Sequence, residues 1–393
     1  MGLVWMGMTV EIVTTLLTAG GLAYMLLALA GARQLARDRR SQPVAAETPS
    51  FVPDVTILKP IKGVDARMYA GLESHCRQQY AGRIEILFGV SSADDPAVGE
   101  IERLRAEFPA CEMRLIVCPN RLGASGKVSN LAQMLAEAKY EHLLINDSDI
   151  RVSPHYLTRV MSGFADAQVG MVTALYIGRT GEKPSLWSRL EALGISTDFM
   201  QGVLTARRLE GGVRFGLGST LAMSRASLEA AGGLAPLVNS LADDYELGAR
   251  IAQAGYRVEL CDEVVETAIP AYDLRGFCQH QLRWARTTRD SRRWGYLGLG
   301  ITYVIPWAAV NCLASGLATW SFGLLGLAAL VRVAVALSVG VGVLGDDQVL
   351  RDLWLLPVRD CFGLGFWAWS YASDTIVWRG ERFHLRDGRI WRF

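Results

Sequence analysis

The sequence lacks a surplus of charge of either sign. Its 393 residues include 40 Lys and Arg against 39 Asp and Glu, a net charge of +1, whereas nucleic-acid-binding domains usually carry a strong basic surplus. Charged residues make up 20% of the chain and hydrophobic residues 51%; soluble domains average roughly 25% charged residues. This composition excludes a disordered or collagen-like chain, indicates no nucleic-acid partner, and favours a membrane protein.

The sequence also lacks paired cysteines. Its 7 cysteines are odd in number, are scattered along the chain and include no C-x-x-C pair. This pattern argues against a disulfide framework or a zinc ribbon, and reduced thiols in a cytosol-facing protein fit better.

The first long apolar run lies near the N-terminus. Residues 12–31 carry no charge, and about 20 apolar residues cross a hydrocarbon core of ~30 Å. No Lys or Arg precedes the run, so a cleaved signal peptide fits poorly. The basic residues that follow it are Arg33, Arg37, Arg39 and Arg40. Because positive flanks favour the cytoplasmic side, we predict a transmembrane helix over residues 10–32 and a cytosolic linker over 33–53; a buried core helix is the alternative.

A second apolar block spans residues 295–345, with Arg332 as its only charge. Its length predicts two transmembrane helices with a reversal near Ala318–Gly323. Arg332 is expected to face protein or to reach an interface, because a charge in lipid is costly.

The C-terminal segment, residues 346–393, combines an apolar stretch with a basic tail. Its stretch Cys361–Trp378 is apolar and rich in Trp but carries Asp374, and five arginines follow it, which favours a cytosolic C-terminus. If two helices carry the chain out and back, this segment is interfacial or re-entrant. A further full crossing is the alternative.

The middle of the chain, residues 54–275, alternates between strand and helix patterns. The predicted strands are 55–59, 84–90, 113–118 and 142–149, and the predicted helices are 66–79, 96–108 and 127–139. This order predicts an α/β fold with a parallel sheet and helices on both faces. Such sheets bind ligands beyond the carboxyl ends of their strands.

Carboxylates follow two of these predicted strands. Asp94 and Asp95 follow the second strand, where a carboxylate can accept hydrogen bonds from a ribose or a uracil; a helix N-cap is the alternative. Asp147 and Asp149 end the fourth strand. Two such carboxylates suit Mg²⁺ or Mn²⁺, with substrate phosphates completing the ligand shell; a surface turn is the alternative.

The glycine-rich segment 123–130, GASGKVSN, precedes a predicted helix. It is not a Walker loop, because Arg121 takes the place of the first glycine and Val128 that of the Ser or Thr. Lys127 and Asn130 can still contact a nucleotide from the helix N-terminus; a plain helix start is equally open.

The segment LADDYELG, residues 241–248, crowds Asp243, Asp244 and Glu246 together. Neighbouring like charges raise the pKa of a carboxylate, which suits a general base. The alternative is a solvated helix start, where acids are favoured by the helix dipole.

The segment HQLRWART, residues 280–287, lies in a predicted interfacial helix over residues 276–294. Arg283 can bind phosphate oxygens in a bidentate manner, and Trp284 offers a flat face at a membrane interface. A simple membrane anchor is the alternative.

Together these motifs, in this order, resemble the family 2 and family 21 glycosyltransferases, most closely the ceramide glucosyltransferase group. The segments that carry the resemblance are ILKPIKGVD (57–65), SSADDPA (91–97), DSDIRV (147–152), ADDYELG (242–248), the RW pair and WRG (378–380). SHCRQQY (74–80) is also similar to the bacterial branch that glycosylates hopanoids. The resemblance implies a GT-A (Rossmann-like) domain at the cytosolic membrane face, with a nucleotide-sugar donor and a lipid acceptor.

The resemblance also implies roles for the acidic residues. Asp94 or Asp95 would contact the uridine of the donor, and Asp147 and Asp149 would bind the metal ion and the diphosphate. Asp244 would be the catalytic aspartate.

The basic motif departs from the family pattern at one position. Arg283 and Trp284 match the end of Q/R-x-x-R-W, but the first position is His280, with Gln281 one place later. The resemblance implies that Gln or Arg at the first position contacts the donor; here His280 takes that place and would donate to a phosphate. On the acceptor side we place Asp243 together with Gly218 and Ser219 of FGLGSTLAMS (215–224), since glycines allow close approach; a plain strand and turn is the alternative.

The predicted reaction is one direct displacement. A carboxylate takes the proton of a lipid hydroxyl, and a divalent cation with positive side chains offsets the charge of the leaving nucleoside diphosphate. Glucose or N-acetylglucosamine would pass from a UDP-sugar to ceramide or a hopanoid polyol as a β-glycoside, on a multi-pass protein of the cytoplasmic membrane. A processive polysaccharide synthase and a non-catalytic binding protein of the same fold are the alternatives.

Overall fold

The computed structural model describes residues 2–41, 51–65, 67–378 and 381–392. The chain divides into two compact units. The helical unit contains Met1–Asp38, Lys183–Leu209 and Ala271–Asp387, and the sheet unit contains Arg39–Glu182, Glu210–Pro270 and Gly388–Phe393. Lys183–Leu209, within the predicted catalytic segment 54–275, thus belongs to the helical unit.

The secondary structure follows the alternation seen in the sequence. The strands are β1 (Val55–Pro60), β2 (Ile84–Val90), β3 (Glu112–Val117), β4 (His142–Ile145), β5 (Ile150–Arg151), β6 (Val169–Arg179), β7 (Leu221–Ser224), β8 (Arg257–Ala268), β9 (Thr375–Trp378), β10 (Glu381–Arg386) and β11 (Arg389–Arg392). The α-helices are α1 (Gly2–Ser41), α2 (Met68–Cys76), α3 (Ala97–Glu107), α4 (Gly126–Glu137), α5 (Tyr156–Ser162), α6 (Leu186–Gly194), α7 (Met200–Leu209), α8 (Arg225–Ala230), α9 (Asp243–Gln253), α10 (Leu274–Ser291), α11 (Arg293–Leu299), α12 (Val304–Ala314), α13 (Thr319–Ala336), α14 (Gln348–Asp352) and α15 (Leu356–Ser370).

The core of the sheet unit is one sheet of eight strands in the order β3-β2-β1-β4-β7-β6-β8-β5. The first four strands of the chain are parallel neighbours, as the sequence predicts. Beyond them the sheet is mixed, because β7 runs antiparallel to β4 and to β6, and β5 antiparallel to β8. Val55, Ile57 and Leu58 of β1 are fully buried, as expected for a central strand covered on both faces. The α/β fold class is confirmed, with a mixed rather than a wholly parallel sheet.

Helix α1 is the first of the candidate membrane spans. Its portion Gly7–Arg40 is 34 residues long and apolar enough to cross a membrane. The helix does not stop at residue 32 but continues to Ser41, so part of the predicted linker is helical; residues 42–50 lie outside the described residues. Asn311 of α12 donates hydrogen bonds from Nδ2 to Thr14 Oγ1 and Thr15 Oγ1 at 3.1 and 2.8 Å. Such polar bonds stabilise helix pairs in lipid.

The second apolar block contains one continuous candidate span, Thr319–Val343, of 25 residues. The helices before it form a pair, Arg293–Thr302 and Val304–Ala314, bent by 56°. By length and composition the described residues therefore contain two candidate spans, or three if the bent pair is one. The reversal comes slightly earlier than predicted, at Gly316 and Leu317, which both have positive φ.

The stretch Cys361–Trp378 is not one helix. Helix α15 ends at Ser370, and strand β9 begins at Thr375 and pairs with β10 as an antiparallel hairpin. Since α15 has 15 residues and a straight crossing needs about 20, a further crossing by this helix is disfavoured.

Arg332, the charge inside the second apolar block, is fully enclosed by protein. Its guanidinium lies 2.9 Å from Asp360 Oδ1 and 2.5 Å from Asp198 Oδ1, and Nη1 donates to the carbonyl of Thr197 at 3.2 Å. Only 1% of Arg332 is exposed. The predicted need for a protein partner is thus met by two carboxylates from other helical segments of the unit.

Candidate active site

The candidate site lies at one edge of the central sheet. Strands β1, β2 and β4 are parallel, so their carboxyl ends share an edge. Strand β7 runs the other way, and its first residue, Leu221, pairs with Ile145 at the end of β4. The loop that precedes β7 is therefore placed beside the segment that follows β4. Asn146 fixes this junction, because its Nδ2 donates to the carbonyl of Ser219 at 2.6 Å.

Asp147 and Asp149 follow β4 at this edge and are held by two neighbours. Lys59, fully buried at the end of β1, donates from Nζ to the carbonyl of Asp147 at 3.2 Å. Thr267 of β8 donates from Oγ1 to Asp149 Oδ2 at 2.5 Å. The backbone of Asp147 and the carboxylate of Asp149 are thus held from two different strands.

Asp244 reaches the same edge from the first turn of α9. This helix packs closely on the loop before β7: a Cβ on Gly248 would lie 2.1 Å from the backbone nitrogen of Gly216, so no larger residue fits at position 248. A Cβ on Gly218 would lie 3.0 Å from Asp244 Oδ2 and 3.7 Å from Asp147 Oδ2. The missing side chain of Gly218 therefore leaves a gap that faces both carboxylates.

Burial and mutual repulsion perturb the pKa values of this cluster. Burial, together with the charge of Asp243, raises the pKa of Asp244 to about 6. Burial also raises the pKa of Asp149, with the charge of Asp147 adding to the effect, and it raises the pKa of Asp243. A carboxylate with a pKa near the working pH suits a general base, which supports the predicted role of Asp244.

Lys127 is the positive centre of the cluster. Its Nζ lies 2.9 Å from Asp147 Oδ1 and 3.2 Å from Asp243 Oδ2. Burial alone would lower the pKa of Lys127, but the carboxylates of Asp147, Asp243 and Asp244 outweigh burial and raise it. Lys127 is thus an ammonium ion, and Asp243, expected on the acceptor side, is its ion-pair partner.

The carboxylate oxygens at this edge fit a hard divalent cation whose other ligands are substrate phosphates and water. Among the residues that the structure describes, no three His, Cys, Asp or Glu side chains form a metal site by themselves. Mg²⁺ and Mn²⁺ at phosphate-binding sites use only one or two carboxylates, with substrate phosphates and water completing the shell. Asp147, next to the gap at Gly218, and Asp149, two residues later, provide that partial set.

Asp94 and Asp95 differ in their surroundings. Asp95 accepts from the backbone N–H of Ala97 at 2.9 Å, the helix-start role that was the alternative, and from that of Gly63 at 2.9 Å. It thereby joins the loops that follow β1 and β2. Asp94 is exposed to solvent, so the predicted uridine contact, which remains untested, suits Asp94 better.

Asn130 and Ser219 are buried, and their side chains bind the scaffold. Asn130 accepts from Ser91 Oγ at 3.0 Å, and the hydroxyl of Ser219 donates to the carbonyl of Ala174 at 3.2 Å. Each is at most 5% exposed. The donor contact predicted for Asn130 and the acceptor contact predicted for Ser219 stay predictions, and the bonds present here hold both residues to the scaffold.

His280, Arg283 and Trp284 lie on α10 in the helical unit. His280 Nδ1 is 2.9 Å from Glu191 Oε1, and Gln281 donates to Glu191 Oε2 at 2.6 Å. His280, at the first position of the basic motif, and Gln281, one place later, thus both contact the buried carboxylate of Glu191. The ring of Trp284 lies 5.2 Å from that of His280, between centroids. The predicted contacts of His280, Arg283 and Trp284 with the donor remain predictions.

Comparison with known proteins identifies the family of this chain. The family model described as glycosyl transferase family 21 matches residues 13–391, which is nearly the whole chain. The chain belongs to glycosyltransferase family 21.

Two curated relatives of this family-21 chain come from Caenorhabditis elegans. Ceramide glucosyltransferase 1 is 25% identical over 86% of this chain and 73% of its own length. Ceramide glucosyltransferase 3 is 24% identical over 60% of this chain. The chain spans about half of the latter's length, 51%.

A solved structure shares the fold. The mannosyltransferase PcManGT from Pyrobaculum calidifontis, in complex with GDP-Man and Mn²⁺, superposes with a TM-score of 0.54 at 19% identity, over 92% of this chain and 97% of that one. This likeness supports the GT-A assignment of the family-21 chain.

Two residues of the site had no role in the sequence analysis. The sequence does mark Lys59, because it is the one charged residue inside the apolar strand VTILKP. It does not mark Thr267, because Thr267 meets Asp149 from 118 positions away in the sequence.

Gly218→Ala tests the gap between the carboxylates. The new methyl group would stand 3.0 Å from Asp244 Oδ2 and push that carboxylate aside, so we expect sugar transfer to fall by about tenfold or more, because small misplacements of reacting groups are costly. The matched control is Gly99→Ala in α3, where a Cβ meets nothing within 4 Å. Its activity should equal that of the wild type. Equal activity of both variants would show that the gap is not used.

Proposed function

We propose that this protein is an inverting membrane glycosyltransferase that moves a sugar from a UDP-sugar to a hydroxyl of a membrane lipid. The observation that carries the proposal is the position of Asp244. Its carboxylate and that of Asp147 both face the gap left by Gly218, and its pKa is raised to about 6. A base and a cation-binding carboxylate are then close enough to serve one displacement.

Each side chain has one task in this reaction. Asp244 accepts the proton of the acceptor hydroxyl as the hydroxyl attacks the sugar. Lys127 supplies positive charge beside the carboxylate of Asp147, and Lys59 holds the backbone carbonyl of Asp147. A Mg²⁺ or Mn²⁺ ion held by Asp147 and Asp149, when bound with the donor, would offset the charge that develops on the leaving diphosphate.

The lipid acceptor is proposed from the candidate spans and the relatives. Helix α1 and Thr319–Val343 are long and apolar enough to hold the chain in a bilayer, and the curated relatives are named ceramide glucosyltransferases. The arginines that follow the first apolar run favour a cytosolic sheet unit. Ceramide and a hopanoid polyol remain the two acceptor candidates, with glucose and N-acetylglucosamine as the sugars.

The direct test is product analysis. Membranes containing the protein are incubated with a panel of UDP-sugars, with ceramide or hopanoid polyols, and the lipids are identified by mass spectrometry. We expect one sugar added to one lipid class, and none from Asp244→Asn membranes. Polymeric products would instead indicate the processive synthase, and the absence of any glycolipid would refute the proposal.

The pKa of Asp244 predicts an acid limb in the pH profile. Asp244 acts as a base only when deprotonated, and its pKa is raised to about 6. The kcat/KM for sugar transfer should therefore be level above about pH 7 and fall about tenfold for each pH unit below about 6. Steady-state rates over this range check the prediction; a rate still level at about pH 5 would contradict it.

A further inference from the structure

The position of Lys127 in the sequence is unusual for a lysine. It is the second residue of α4, whose first turn is capped by Ser125 Oγ accepting from the N–H of Val128 at 3.3 Å. A cation in the first turn is disfavoured by the helix dipole. Its side chain is also largely buried, with 18% exposed. Both features disfavour a charged lysine at this position. The ion pairs with Asp147 and Asp243 offset that cost.

The charges around Lys127 leave the cluster short of positive charge. The carboxylates that surround Lys127 and Lys59 are Asp147, Asp149, Asp243 and Asp244. The four carboxylates outnumber the two lysines, and burial weakens the positive charge of Lys59 by lowering its pKa to about 7. A divalent cation offsets the excess negative charge, but Asp147 would have to serve both the cation and Lys127.

We infer that Lys127 is the internal counter-ion of this cluster and makes tight binding of the divalent cation depend on a nucleoside diphosphate. An ammonium 2.9 Å from Asp147 Oδ1 repels a metal ion that approaches the same carboxylate. A diphosphate supplies new anionic oxygens for the ammonium, since lysine binds phosphate as a point charge. Asp147 is then released to the metal, and metal and diphosphate bind cooperatively. Cooperativity of this kind is reciprocal.

This inference rests on the proposed function, because it assigns the diphosphate of the donor to the cluster. It differs from a plain phosphate contact by Lys127, which would weaken binding of the nucleotide and leave binding of the metal alone unchanged. It also differs from a purely structural ion pair, whose loss would lower stability without tightening metal binding.

The test measures Mn²⁺ binding to the purified full chain in detergent, by electron paramagnetic resonance of free Mn²⁺, with and without UDP. At mildly alkaline pH, Lys127→Met should bind Mn²⁺ alone about tenfold or more tightly than the wild type, and UDP should enhance Mn²⁺ binding less in this variant by the same factor. Lys127→Arg, which keeps the charge, should resemble the wild type. The matched control Lys139→Met removes an exposed lysine paired with Glu112 and should change nothing.

The negative results of this test distinguish a failure of the inference from a failure of the proposed function. If wild-type protein binds no UDP even with Mn²⁺, the proposed function fails. If it binds UDP with Mn²⁺ but UDP does not tighten Mn²⁺ binding, the inference alone fails, and this result needs no variant to fold. Mn²⁺ affinity of Lys127→Met equal to or weaker than that of the wild type also overturns the inference.

Discussion

Replacing Asp244 by asparagine is expected to lower kcat for sugar transfer by about 10²–10⁴-fold, the usual contribution of a general base. The amide has the same shape but cannot accept the proton of the acceptor hydroxyl. Asp244 Oδ1 accepts from its own helix, from the N–H of Tyr245 at 2.8 Å, and the amide oxygen of asparagine can keep that bond. The affinity for UDP with Mn²⁺, measured by calorimetry, should therefore stay within about twofold of the wild type.

Glu246→Gln is the matched control for this variant. Glu246 lies in the same helical turn but pairs with Arg250 at 2.8 Å, with both side chains about one-third exposed. Its removal should leave kcat unchanged. The base assignment is wrong if Asp244→Asn turns over normally, or if Glu246→Gln loses as much activity.

Replacing Arg332 by methionine is expected to be the most damaging change to the fold. The substitution leaves Asp360, which is 1% exposed, without the guanidinium that lies 2.9 Å away. Removing one partner of a buried ion pair costs about 3–5 kcal/mol. The free energy of unfolding should fall by that amount, and detergent-solubilised protein should lose monodispersity at a much lower temperature than the wild type.

A second substitution separates charge from packing in this prediction. Asp360→Asn in the Arg332→Met background removes the unpaired carboxylate and should recover part of the lost stability, as coupled neighbours do in a double-mutant cycle. Arg351→Met removes an arginine that is 58% exposed at 3.7 Å from Asp352, and should have almost no effect. An Arg332→Met variant as stable as the Arg351→Met variant would contradict the account.

The first half of the sheet was predictable because its signals are local. Strand β2 matches the predicted residues 84–90, and β1 differs by one residue, since each is a mostly apolar run between polar breaks. The same runs predicted where the site residues stand, because carboxylates directly after a strand must lie at its carboxyl end. Asp147 and Asp149 were found in this way.

The rest depends on partners that are distant in the chain. Strand β8, RVELCDEVVETA, carries five charged residues and gives no clear strand pattern, yet it pairs with β6 over nearly its whole length. Glu191, 89 residues before His280, lies 2.9 Å from His280 Nδ1. Spacing within a motif cannot reveal such a partner.

The anomeric configuration of the glycolipid product tests the account most directly. One base, Asp244, serving one displacement at a UDP-bound sugar must invert the anomeric centre, so an α-linked donor should yield only the β-glycoside in the NMR spectrum of the purified lipid. An α-glycoside would mean that the configuration is retained, and would contradict the role of Asp244 as the base of a single in-line displacement.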